Sequence, residues 1–171
     1  MTVAGVLSGS VTRGAALDPQ HGNIEYGALV RAVMIPLPQS ITADQKKQIA
    51  SFFDNLLEEL DLSHQLKIHR FLPVTIDSLS GHNGTWLGDL AQHATEFYRA
   101  YQDEVSANGT GNTDVRRLLA AALYYIIECN DVIPDHRLSD GFLDDAYLVN
   151  LCIKKIEKIE PGYFGDALKP R

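Results

Sequence analysis

The chain of 171 residues lacks most of the features that announce a function. It has only two cysteines, Cys129 and Cys152, and no CxxC pair, which excludes a zinc ribbon and a thioredoxin-type centre. Both lie in apolar, helix-like surroundings and are expected to be buried free thiols that pack as small hydrophobes. No apolar run approaches the ~20 residues that span a bilayer; the longest reaches from Leu118 to Ile127. The opening stretch Met1 to Ser8 has neither a cationic start nor a continuous apolar centre, so a secretory signal is not expected and the cytoplasm is the default location. GxSxG, HExxH, phosphate-loop and dinucleotide patterns are all missing. Positive charge is scarce as well. Fifteen Lys and Arg against 22 Asp and Glu leave a net charge of −7, so the surface as a whole repels a phosphate backbone and nucleic acid is not an expected partner. The one basic cluster, Lys154, Lys155 and Lys158, falls near the end of a predicted helix, where cations complement the dipole.

What is present is enough apolar material for one globular domain: 45% hydrophobic residues against 22% charged. The patterning predicts an all-α fold, a compact bundle of about four to five helices with an extended N-terminal segment. Residues 1–24 read as a loosely held arm, 25–160 as a single helical domain, and 161–171 as a C-terminal tail. From Tyr26 to Pro38 the chain is apolar apart from Arg31 and closes on Pro36-Leu37-Pro38, which forbids a helix and predicts an extended segment or short strand. Thr42 with Gln45 three residues on forms a capping box, and Ile49, Phe53, Leu56, Leu57 and Leu60 follow at helical spacing. A shorter helix over Ser63 to Phe71 is expected to stop before Pro73, with a loop from Ser78 to Gly84. Thr85 is the predicted cap of a third long helix carrying Leu87, Leu90, Ala94, Phe97, Tyr98 and Tyr101, and Thr113 the cap of a fourth that ends at Glu128. Leu118 to Ile127 leaves that fourth helix almost no polar face, the mark of a central, buried helix. A last helix runs from about Gly141 to Lys158 and stops at Pro161-Gly162.

The connection between the last two helices is crowded with aspartates: Asp131, Asp135, Asp140, Asp144 and Asp145. Its two blocks, Asp131-Val132-Ile133-Pro134-Asp135 and Gly141-Phe142-Leu143-Asp144-Asp145, follow an apolar helix at a fixed offset. Over residues 118–153 this pattern resembles the YkvA-like family, small bacterial helical domains of unknown function. The resemblance implies a helix hairpin over 113–158 with the aspartate loop as its signature. The turn His136-Arg137-Leu138-Ser139 is more polar here than the apolar-Pro turn of that family, so a membrane-facing role is not expected even though some relatives are membrane-associated.

Elementary electrostatics gives these carboxylates a structural task. Asp140 is placed as an N-cap, and Asp144 and Asp145 fall in the first turns, where the positive end of the helix dipole favours them. Asp135, fixed by Pro134, is positioned to accept bonds from main-chain amides at the same helix start, and Asp131 to close a turn at the preceding helix end. The competing expectation is that Asp131, Asp135, Asp144 and Asp145 converge on Mg²⁺, Mn²⁺ or Ca²⁺, hard cations that prefer oxygen ligands, and that the metal activates water for hydrolysis. His136 is the acid–base partner nearest in sequence to them. A second candidate set, Asp89, His93 and Glu96, shares one helix face and reads either as half a metal site or as a solvated face with a local Asp–His ion pair. With no nucleophile–base pair and no complete ligand set in view, the leading expectation is a helical interaction or regulatory module without a cofactor, whose partner is another protein.

Overall fold

A computed structural model describes residues 34–82, 84–107, 111–128, 132–133 and 140–165. The described chain forms five helices and no strand: α1 (Ala43–Glu59), α2 (Leu62–Ser80), α3 (Trp86–Ser106), α4 (Thr113–Ile127) and α5 (Leu143–Ile159). The all-α reading is therefore correct. Residues 1–33 lie outside the description, so of the segment predicted as extended only residues 34–38 can be followed.

The fold is organised around α4, which packs against every other helix, whereas α1 and α2 do not touch each other. The sequence explains why. Residues Leu118 to Ile126 are all buried, so no face of α4 can remain in water and neighbours must cover it on all sides. Phe53, Ile68, Leu90, Phe97 and Val149 from the surrounding helices complete the core around it.

Helix starts show local chemistry at work, not always as the sequence implies. At α1 the capping box is present: Thr42 Oγ1 accepts from Gln45 N at 3.2 Å and Gln45 Oε1 from Thr42 N at 3.0 Å. Helix α4 is capped by Asn112, whose Oδ1 accepts from Asp114 N and Val115 N, while Thr113 is the first helical residue. Thr85 occupies the cap position of α3 without capping it; its hydroxyl donates to the carbonyl of His82 at 2.6 Å instead. Gly84 supplies the positive φ of 79° that the turn into α3 requires.

Helix α2 overturns the expectation of a short helix. It runs through Pro73 to Ser80, so residues 78–80 are helical. The proline lacks an N–H and leaves the His69 carbonyl without its helical donor, a defect that costs roughly 3 kcal/mol. Ile68 and Leu72 on one side of it and Leu79 on the other are all buried against α3 and α4, and this apolar stripe holds the helix together across the break. Pro73 itself is exposed, so the orphaned carbonyl is on the side where water can satisfy it.

The N-terminal segment is pinned by one side chain. Ile35 N donates to Asn150 Oδ1 at 2.8 Å, and Asn150 Nδ2 donates to Ile35 O at 3.0 Å. A side-chain amide from α5 thus substitutes for a neighbouring strand, and the Ile35 side chain, 2% exposed, enters the core. At the other end, residues beyond α5 turn back and place Phe164 against Phe97 with ring centroids 5.3 Å apart. Replacing Asn150 by Ala leaves both Ile35 groups buried and unpaired. Urea denaturation of Asn150→Ala is expected to show a loss of about 1–3 kcal/mol, and amide exchange at Ile35 should accelerate ahead of that in α4.

Candidate functional site

The sequence directs attention to the start of α5. Of the residues it singles out, Asp131, Pro134, Asp135 and His136 lie outside the described residues, as does Cys129; Asp140, Gly141, Asp144 and Asp145 are described. All four are buried, Asp144 and Asp145 with no exposure at all. Two adjacent carboxylates in the first turn benefit from the helix dipole, but burial at this depth demands hydrogen bonds too.

Asp144 has them. Its Oδ2 accepts from the Tyr125 hydroxyl of α4 at 2.8 Å and from Ile133 N at 2.9 Å. One side chain therefore ties the end of α4, the connecting chain and the start of α5 to each other. Oδ1 has no hydrogen-bond partner among the described residues. Burial accordingly pushes the Asp144 carboxyl above its ordinary pKa, while the Tyr125 and Ile133 hydrogen bonds pull the other way.

Asp140 plays a different part from the one its sequence position implies. The cap residue of α5 is Phe142, with no side-chain capping bond, and Asp140 contributes its carbonyl, which accepts from Leu143 N at 3.0 Å. The Asp140 carboxylate faces back toward the N-terminal segment, with Gln39 Nε2 at 3.5 Å. The helix starts two residues later than Gly141 because the chain makes a turn first, and the turn uses the main chain of Asp140.

Asp89, His93 and Glu96 do not converge. His93 Nδ1 lies 2.7 Å from the carbonyl oxygen of Asp89, so it carries the proton and donates one turn back along α3, in place of the expected ion pair with the Asp89 carboxylate. Glu96 pairs with Arg99 at 3.0 Å. Among the described residues no three His, Cys, Asp or Glu side chains are grouped to hold a metal. Cys152 is a fully buried thiol whose pKa burial raises, and it donates to the carbonyl of Leu118 at 3.4 Å.

Comparison with protein-family models, with curated proteins and with solved structures finds no match for this chain. The reading of the site therefore rests on its geometry.

Two residues that complete this geometry escape the sequence analysis. Tyr125 looks like one more apolar residue of α4, although a buried phenol needs a partner for its hydroxyl. Asn150 stands four residues after Ala146 on a buried side of α5, and a lone amide in that position signals a tertiary bond.

The raised pKa of Asp144 carries a sign. Its folded value exceeds the unfolded one, so the folded state binds the proton more tightly and the carboxyl's stabilising contribution is greatest at low pH. That contribution falls as pH climbs from the ordinary carboxylate range through the raised value. Asp144→Asn, which cannot ionise, is expected to gain on the wild type steadily as urea titrations move from acid to neutral pH; parallel stability profiles would exclude a raised Asp144. With Oδ2 already engaged by two donors, Mg²⁺, Mn²⁺ and Ca²⁺ are each expected to leave the melting temperature unchanged, and a rise with any of them would show an ion bound to the folded state.

Proposed function

We propose that the chain is a helical interaction module, with the loop between α4 and α5 serving to fix its shape and a protein as its partner. The observation that supports this best is the outer side of α2. Leu62 is 69% exposed, Leu66 62%, Val74 70% and Phe71 46%; at helical spacing Leu66 and Val74 stand opposite buried Ile68, Leu72 and Leu79, with Leu62 and Phe71 on the two flanks. Large apolar side chains gathered on one exposed helix side mark association surfaces more often than isolated ones do.

The charges around these residues also favour a binding face. Lys67 and Arg70 sit among them, Arg70 over the Phe71 ring at 5.2 Å and Lys67 donating to the Tyr124 hydroxyl at 3.1 Å. Their aliphatic stems extend the apolar surface while the charged ends meet acidic groups on a partner.

The resemblance of residues 118–153 to YkvA-like domains belongs to the same reading: α4 and α5 supply a hairpin with aspartates at its second helix. A cytoplasmic location is part of the proposal. Among the described residues no helix is long and apolar enough to cross a membrane.

The test is the double variant Leu66→Glu, Val74→Glu. Because both side chains are largely in solvent, its melting curve should match the wild type's within about 0.5 kcal/mol of stability. Cross-linking capture from a lysate of the source cells should then lose the proteins the wild type retains. Undiminished capture would remove this face as the docking surface, and a large loss of stability would show that it is covered within the fold.

A further inference from the structure

At the end of the bundle away from the α4–α5 connection, α1, α4 and α5 line an open recess of about 460 Å³. Its apolar lining comes from one residue on each helix, Leu57, Leu118 and Ile159, and its polar lining from Arg117, Lys155, Lys158 and Asp114. We propose that this recess binds a small amphiphilic monocarboxylate, with the carboxylate between Arg117 and Lys158 and the apolar body over Leu57, Leu118 and Ile159.

The size lies within the range of small-ligand sites, and an apolar lining with a few placed polar groups is their usual composition. The polar groups here differ in how far they are already occupied. Arg117 crosses from α4 to donate one N–H to the carbonyl of Leu57, near the C-terminal end of α1. That bond positions the guanidinium and leaves most of its five donors for a ligand. Lys155 is paired with Asp54 at 3.0 Å and lies over the Phe53 ring. Lys158 pairs with no carboxylate among the described residues. It is therefore the cation with most to gain from an incoming anion.

The charge balance selects the head group. Three cations at the recess face two carboxylates, Asp114 lining it and Asp54 on Lys155, so the surplus is one positive charge. A monoanion neutralises that surplus. A phosphate dianion overshoots it, beside Asp114 and in the field of a chain whose net charge is −7. The apolar requirement is set by Ile159, left 45% exposed at the edge of the recess, which an aliphatic body would cover.

Octanoate is the probe, followed by amide chemical shifts and titration calorimetry on the full chain. The expected result is saturable binding with shifts centred on residues 114–118 and 155–159, and binding at least about tenfold weaker for acetate, octanol and inorganic phosphate. Lys158→Glu, a surface change whose melting curve serves as the folding control, should weaken octanoate by about tenfold or more, whereas Lys158→Arg should retain it. The proposal is overturned by the lack of saturable octanoate binding at roughly 1 mM, by equal affinity for octanol, or by unaltered binding in Lys158→Glu. This site does not depend on the α2 face: the Leu66→Glu, Val74→Glu variant should bind octanoate as the wild type does.

Discussion

A carboxylate without solvent exposure, accepting from a tyrosine hydroxyl and from a main-chain amide, is the contact on which the second half of the molecule depends. Asp144, at the start of α5, bonds to the hydroxyl of Tyr125 in α4 and to the amide of Ile133 in the connection. Without it, the Ile133 N–H would be buried beside apolar side chains as an unmatched donor. The cost of taking a charge out of water is visible in the direction of its pKa, which burial raises in spite of the Tyr125 and Ile133 hydrogen bonds. The fold keeps a carboxyl there at the expense of some stability at neutral pH, and gains a defined geometry for the hairpin.

Asn150 does the same kind of work further along α5. Among the described residues no strand lies beside the chain before α1, and its Ile35 N–H and C=O are both satisfied by one side-chain amide. Two of the buried polar side chains of α5, Asp144 and Asn150, thus each anchor a stretch of irregular chain, while its apolar residues pack on α4. That division explains how a bundle with no sheet can hold non-helical segments firmly against its core. Helix α2, like α1, packs on only two neighbours, α3 and α4, and its outer apolar residues are exposed.

Much of the fold was legible in the residues. The capping box at Thr42 and Gln45 is local chemistry and forms as read. The apolar run of α4 implied a central helix because no arrangement with an exposed face suits it. Pro73 misled, since the penalty for a proline inside a helix is a few kcal/mol and a buried stripe on both sides of it outweighs that. Thr113 and Asn112 are both acceptable caps, and adjacent candidates compete through backbone geometry that spacing does not reveal. The site was half legible. Asp144 and Asp145 were placed in the first turn of the last helix, but their complete burial and the role of Tyr125 depend on how α4 meets α5. Asn150 and Ile35 are 115 residues apart, beyond the reach of any local pattern. The dipole argument that located Asp140 as a cap failed because a turn through its main chain delays the helix.

The most direct test of the central contact is a double-mutant cycle on Tyr125→Phe and Asp144→Asn, with stability measured by urea denaturation at neutral pH. Residues joined by a buried hydrogen bond should couple: the double variant's stability change should differ from the sum of the two single changes by about 1 kcal/mol or more. Additive effects would show that the hydroxyl and the carboxylate do not hold the hairpin together.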